Sequence, residues 1–523
     1  MKNKDLLHAM TDIDDSYIES AKPEEKKKHA AGRHFIGIGI AAACLCITVG
    51  AVVLAGRKFL NSDRQPDVPN SSDPTPTGNA DTDGSSSQNG LIPTEGAGDS
   101  PSAALDGYAV VQAEYPERIP YPKMEEYSGD WDSYHAAQAK WREDQSDRVS
   151  QSRDCAENMF SFYAKTMQEL LVSDKHENRA YSPLNLYMAL SMLAELTDGN
   201  SRAQILELLD ADGTDVLRRH ASVLWDANYA DDGTVTSLLA NSLWLNQHIR
   251  FVPDTMATLS DTWHASSYQG EMGSEEFTQA LQSWLNEQTG GLLTEQVGNI
   301  RLEPQTVLAL ASTIYYRAQW AGKFDKDKTA EGIFHAAAGD IPCDFMHKQD
   351  IQNYYWNDNF SAISRRLENS GAMWLFLPDE GVSVNELAAG GEILQLLQNS
   401  DAWGNQTFAA VNISMPKFDI VSEHNLAEEL PRLGITDILD PKLSDFSPMT
   451  RDLDGIFLSH ATHAARISAD EEGCIAAAFT QIAMNGGGMA PADEVDFTLD
   501  RPFLFVITGA DGNLLFAGVV EQP

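Results

Sequence analysis

The chain has 523 residues, of which 77 are acidic and 37 basic, a formal net charge of −40. Such an acidic balance excludes nucleic acid as a partner, because phosphate binding needs clustered Lys and Arg. With 42 % hydrophobic residues the chain can bury a sizeable core. Its five cysteines form neither a CxxC pair nor a Cys/His cluster, so no disulfide framework, structural metal site or cofactor is expected.

Residues 1–34 end in a basic stretch, with Lys22, Lys26, Lys27, Lys28 and Arg33 close to an apolar run. That run, FIGIGIAAACLCITVGAVVLA over 35–55, carries no charge. As a helix rising about 1.5 Å per residue it reaches the roughly 30 Å thickness of a bilayer core. Arg57, Lys58 and Arg64 follow it. The excess of positive charge before the run places 1–34 in the cytoplasm, makes 35–56 a single-pass signal-anchor helix and exports the remainder. A cleaved signal ending at Val53-Leu54-Ala55 also exports the remainder.

Residues 57–105 are rich in Ser, Asp, Pro, Gly, Thr and Asn, and Val68 is the one branched aliphatic residue between 61 and 90. Too little apolar surface is present there to offset ordering entropy, which reads as a flexible tether. Residues 106–151 hold Tyr115-Pro116 and Tyr121-Pro122, then a polar helical pattern over 132–147 that includes Trp141. This extension either pads the next domain or spaces it from the tether.

A globular domain follows over 152–523. Phe160, Tyr163, Met167, Leu170 and Leu171 recur at helical spacing. Residues 183–195 and 202–209 read as further helices, the second capped by Ser201. Strand-like runs occupy 305–316, 371–377, 407–414 and 502–508. Helices come early and strands dominate late, which gives an α+β class with large, mostly antiparallel sheets. The chain has no GxSxG elbow, HExxH, P-loop or dinucleotide fingerprint. His460 and His463 point to opposite faces of a strand and make no metal site.

Residues 466–491 read RISADEEGCIAAAFTQIAMNGGGMAP. Treated as a strand, Cys474, Ala476, Ala478, Thr480, Ile482 and Met484 share one small, uncharged face. The same segment runs into Gly486-Gly487-Gly488, which suits an exposed loop. An ordinary strand followed by a loop accounts for the segment equally well; so does a loop able to enter a sheet.

An ordered set of motifs from about 155 to the C-terminus resembles the serpin family. It comprises Tyr181-Ser182-Pro183, Trp284-Leu285 with Thr289 and Gly291, and Ser312 through Trp320. Met415-Pro416-Lys417-Phe418, Leu433-Gly434-Ile435 and Asp445-Phe446-Ser447 follow. Last come His463, Arg501 through Phe505, and Leu515-Phe516-Ala517-Gly518. The resemblance implies three mostly antiparallel sheets, eight or nine helices and an exposed reactive loop. It implies a suicide-substrate inhibitor and not an enzyme: a protease cleaves the loop, which then inserts into the main sheet before the acyl bond hydrolyses.

The resemblance assigns Glu471, Gly473, Cys474, Ala476, Ala477, Ala478 and Thr480 to the loop's hinge. The scissile bond falls within Met484, Asn485, Gly486, Gly487, Gly488, Met489 and Ala490, with Met489-Ala490 the first choice. Ser182, Asn185, Ser312 and His463 match the polar shutter beneath the sheet, with Asn185 and Ser312 exchanged relative to the family's usual Ser and Asn. Cys474 stands where the family has Thr or Ser. Since Lys and Arg are absent between Gly473 and Arg501, the implied partners are elastase-like or subtilisin-like serine endopeptidases, with cysteine proteases as a further option. A monomer at the cell surface is expected. The alternative is a non-inhibitory serpin that acts as a surface binding module.

Overall fold

The computed structural model describes the backbone of residues 44–56, then residue 105, residues 107–473 and residues 493–523. Strand β1 (Cys44–Gly56) lies in the main sheet. Strand β2 (Ala109–Val111) and the long helix α1 (Trp131–Asn158) form the extension before the domain. Helix α2 (Phe160–Leu171), β3 (Arg179–Tyr181), α3 (Pro183–Leu196), α4 (Gly199–Leu208) and α5 (Thr214–Asn228) follow. Next come β4 (Ala230–Asp231), β5 (Thr236–Asn246), α6 (Pro253–Trp263), β6 (Ala265–Gly270), α7 (Glu275–Gln288), α8 (Thr294–Asn299) and β7 (Thr306–Ala318).

The second half is strand-rich: β8 (Ala330–Ala336), β9 (Gly339–Trp356), β10 (Phe360–Arg366) and β11 (Ala372–Pro378). Helices α9 (Val384–Ala389) and α10 (Glu392–Gln398) precede β12 (Gln406–Pro416) and β13 (Phe418–Asn425). Helix α11 (Leu426–Glu429), β14 (Ile456–Ala469), β15 (Glu494–Thr498), β16 (Phe503–Thr508) and β17 (Leu514–Val520) complete the chain. Among the described residues there are eleven α-helices against the eight or nine expected, because α1 lies in the extension and α8 to α11 are only four to seven residues long.

The main sheet runs β13-β14-β1-β7-β5-β6-β2, with β4 beside β5. The other strands form one ladder, β15-β12-β9-β10-β11-β16-β17-β3, with β8 on β9. The 18-residue β9 is shared between two sheets in that ladder: it pairs with β12 over Phe345–Tyr355 and with β10 only over Tyr354–Trp356. Three sheets result, and the α+β class stands.

Strand β7 shows why the core needs two faces. Leu308, Leu310, Ile314 and Tyr316 join one apolar cluster, whereas Ala309 and Ala311 join another with Phe277, Trp284 and Leu285 of α7. Successive side chains point to opposite faces, so a strand with near-continuous apolar sequence is covered on both sides. Helix α3 is buried at every position. Ser182 caps it by accepting from Asn185 N at 3.1 Å, and Pro183 opens it, where a missing N–H costs nothing.

Two expectations need correction. The helix expected over 35–55 is a β-strand where it is described: residues 44–56 pair antiparallel with β14 from Leu45↔Ser468 to Gly56↔Ile456, and with β7 from Cys44↔Ala318 to Ala55↔Thr306. Residues 35–43 lie outside the described residues. An uncharged run rich in Val, Ile, Thr and small residues suits a central strand as well as a membrane helix. Among the described residues no helix is long and apolar enough to cross a membrane. Second, Ser201 is not the cap of its helix. α4 begins two residues earlier behind Asp198, which accepts from Gly199 N, and Ser201 Oγ accepts from Asp445 N at 3.1 Å.

Of the two readings left open for the extension, packing against the domain is the one seen, and α1 runs on through residue 152. β2 adds to the edge of β6, and Tyr108 packs on Phe277 with ring centroids 4.9 Å apart. Tyr115 stacks on Tyr229, while Arg118 Nη2 meets Asp226 Oδ1 at 2.8 Å. Trp141, 5 % exposed, donates its Nε1–H to Asp232 Oδ2 at 3.1 Å. Ser152 Oγ donates to Asp511 Oδ2 at 2.8 Å, tying α1 to the β16–β17 turn. Leu105, expected at the end of the tether, is buried in the cluster under α7.

Candidate functional site: the hinge and the sheet beneath it

The acidic triplet Asp470-Glu471-Glu472 follows the end of β14 and is held by the segment that follows β7. Trp320 Nε1–H donates to Asp470 O at 2.7 Å, Phe324 N to Glu471 O at 3.0 Å and Trp320 N to Glu472 O at 3.4 Å. Glu471 is 5 % exposed, and its Oε1 accepts from Lys417 Nζ and Thr329 Oγ1, each at 2.7 Å. Burial acts to raise this carboxyl, but those two donors hold it below the usual range. Glu472 is also held down, by Lys326 Nζ at 2.8 Å and Lys323 Nζ at 3.0 Å. Asp470 moves the other way: burial pushes it up to about 6.

Gly473 closes this turn with φ +76°, and a Cβ there would sit 2.2 Å from Trp320 N. Only glycine tolerates both the left-handed backbone and the close approach. Trp320 itself is fixed from behind by the buried Arg365, whose guanidinium lies 5.7 Å from its ring and 5.0 Å from that of Phe324. Arg365 also donates to Gly322 O at 2.6 Å.

Under the middle of the sheet the four polar residues picked out by the resemblance come together. Ser182 N donates to His463 Nε2 at 3.0 Å, and Asn185 Nδ2 donates to Ser312 Oγ at 2.8 Å. His463 is on β14 and Ser312 on β7, and both are 1 % exposed. Gly50 of β1 pairs with both residues, so the strand between β14 and β7 passes between them at this level. Because Nε2 of His463 accepts, its proton sits on Nδ1. Burial, reinforced by the neighbouring His424, lowers its pKa to about 3.

Of the hinge residues, Glu471 and Gly473 are placed by the structure. Cys474, Ala476, Ala477, Ala478 and Thr480 lie outside the described residues, as do Met484 through Ala490. Several residues that hold the hinge carried no assigned role in the sequence: Trp320, Lys417, Thr329, Lys323, Lys326 and Arg365. Trp320 and Lys417 lie inside motifs that marked the resemblance. His424 was missed as well. Its signal is the alternation Phe418, Ile420, Ser422, His424 on the buried face of β13, which carries it opposite His463. His460 is exposed where His463 is buried, and among the described residues no cluster of His, Cys, Asp or Glu could hold a metal.

The family model for Serpin (serine protease inhibitor) matches residues 157–523. The chain belongs to the serpin family. Serpin-ZX of Arabidopsis thaliana is 27 % identical over 368 residues, 67 % of this chain and 93 % of that protein. The leukocyte elastase inhibitor of Homo sapiens is 27 % identical over 356 residues, 65 % and 92 % of the two chains. Among solved structures, native AtSerpin1 of Arabidopsis has a TM-score of 0.60 at 25 % identity, covering 72 % of this chain and 98 % of its own. The thermophilic serpin tengpin in its native state has a TM-score of 0.61 at 24 % identity, covering 71 % and 94 %. The relatives named as protease inhibitors place this serpin among inhibitors and not enzymes.

Proposed function

We propose that this serpin is a covalent suicide-substrate inhibitor of extracellular serine endopeptidases of elastase-like or subtilisin-like specificity. The observation that carries the reading is the position between β14 and β7, where one strand, β1, lies antiparallel to both. A loop folding back from Gly473 at the end of β14 would run antiparallel to β14, the direction that position accepts once β1 has left it. The Ala476-Ala477-Ala478 run brings no charge or bulk into it. Met489-Ala490 is the preferred scissile bond, and Met484-Asn485 and Gly487-Gly488 are the others; none offers the basic residue that a trypsin-like pocket requires. Export to the cell surface, with residues 35–55 engaging the membrane, completes the proposal.

The test uses the full chain with an elastase-like and a subtilisin-like protease. A band that survives denaturation at the summed mass, together with release of a peptide cut between 480 and 495, is the expected result. Cleavage there with no such band, at any ratio of the two proteins, overturns covalent inhibition and leaves the non-inhibitory surface module.

A further inference from the structure

We infer that residues 44–56 are a built-in occupant of the slot that the reactive loop must enter, and that withdrawing them switches the inhibitor on. The inference rests on the reading of this serpin as a loop-inserting protein. β1 does not add to an edge. It lies between β14 and β7 and is paired along its whole length on both sides. Strands in a sheet stand about 4.8 Å apart, so a filled slot cannot also admit the loop.

Its position matches what the loop would take up. Its pairing with β14 begins at Leu45 beside Ser468, five residues before Gly473, and runs antiparallel. At mid-strand Gly50 separates His463 from Ser312, the two sides of the polar cluster at the base of the sheet. The compositions match too. CLCITVGAVVLAG over 44–56 and CIAAAFTQIAMNG over 474–486 are both uncharged, and both are made largely of small and aliphatic residues. A sheet that accepts one has the chemistry to accept the other.

Up to Ala55, β1 lies within the apolar run 35–55, which carries no charge over 21 residues and has the length of a membrane span. Sheet and bilayer therefore compete for it. The 48 residues from 57 to 104, extended at about 3.3 Å each, reach roughly 160 Å and leave both destinations accessible. In a bilayer the run vacates the slot and the loop can insert. In the sheet it holds the molecule as an uninhibitory store. The fraction of chains with a free slot sets the apparent rate of inhibition.

A cross-strand disulfide tests this. Thr48 and Ala465 stand opposite each other, and side chains so placed are within disulfide reach. In the full chain with Cys44→Ser and Cys46→Ser, Thr48→Cys paired with Ala465→Cys should link on mild oxidation, whereas Thr48→Cys with Ala464→Cys, on opposite faces, should not. No link in the matched pair, or equal linking in both, overturns the placement. The linked chain should gain no thermal stability when its loop is cut, and the reduced chain should gain it. Equal gains overturn the control of loop entry. Phosphatidylethanolamine–phosphatidylglycerol vesicles should lower the yield of the link; an unchanged yield overturns release by a membrane. Protease adducts are scored separately. If the lock governs the stability gain and no adduct forms in the reduced chain, the inhibitor reading falls while the occupied slot stands.

Discussion

Asn185 Nδ2 donates to Ser312 Oγ at 2.8 Å, joining the start of α3 to β7 beneath the main sheet. The resemblance to the family implies that the amide and the hydroxyl have changed places, and this bond spans that pair. Asn185→Ser alone leaves Ser312 Oγ without this donor in a site that excludes water. That should cost about 1–3 kcal/mol. The double change with Ser312→Asn returns an amide to the bridge from the other side and should recover part of the loss. Thermal midpoints of the two single variants and the double variant measure the coupling. Strictly additive losses would show that the two residues act independently.

Gly473 gives a second prediction. Gly473→Ala forces a Cβ against Trp320 N and puts a side chain on a left-handed backbone. The backbone term alone is about 1–2 kcal/mol. The turn must shift, and the bond from Trp320 N to Glu472 O opens with it. The expected outcome is a lower thermal midpoint and faster proteolysis between 474 and 492 than in the parent. A variant with the parent's midpoint and cleavage rate would mean that the turn is not held against Trp320.

Glu471 is the carboxylate on which Lys417 and Thr329 converge. Glu471→Gln keeps the shape and removes the charge, so Lys417 loses its short ion pair. Glu471 is nearly buried, but Lys417 is about a third exposed and keeps Asp344 Oδ2 at 3.7 Å, so a loss of about 1 kcal/mol is expected. Lys417→Met made together with Glu471→Gln should be closer to the parent than Glu471→Gln alone, because the ammonium that lost its nearer partner is removed as well. Chemical denaturation of the four proteins measures this, and a double variant worse than either single one would count against it.

Trp141 decides whether the extension belongs to the domain. It is buried and bonded to Asp232, on the segment between β4 and β5. Trp141→Ala should cost about 3–5 kcal/mol in a cooperative unfolding transition, and Trp141→Phe only the hydrogen bond, about 1 kcal/mol. If residues 106–151 were only a spacer, neither change would move the midpoint.

The sequence was most legible where periodicity and burial agree. The helix at Phe160–Leu171 and the strands at 306–318 and 503–508 lie within two residues of their expected bounds. β9 was not legible, since DIPCDFMHKQDIQNYYW alternates poorly and its burial is mixed. Residues 44–56 misled because an uncharged aliphatic run satisfies a lipid interior and a sheet interior alike. Of the hinge, Glu471 and Gly473 were visible through the motif, but the residues that hold them come from positions some 50 to 150 places away, such as Lys417 and Trp320. A contact made by the main-chain N–H of Trp320 leaves no trace in side-chain chemistry.

His463 and Asp470 make stability depend on pH in opposite senses. His463 has a folded pKa of about 3 against an ordinary 6.5. The folded state therefore binds this proton less readily than the unfolded state. Its contribution is complete above 6.5 and is lost progressively as pH falls from 6.5 toward 3. Protonation would also remove the lone pair that accepts from Ser182 N. Between pH 7 and 5 the loss is about 2 kcal/mol. Asp470 has a folded pKa of about 6 against an ordinary 3.8. Its contribution is present below 3.8 and is lost as pH rises through about 6, so it offsets part of the loss on acidification. Because the carboxyl is only partly buried, that offset is below about 1 kcal/mol. The parent should therefore lose stability from pH 7 to 5. His463→Gln should flatten that fall and Asp470→Asn should steepen it, whatever each does to stability at pH 7. Denaturant midpoints across pH 5–8 read the slopes, and parallel curves for parent and His463→Gln would show that this imidazole is not the group that titrates.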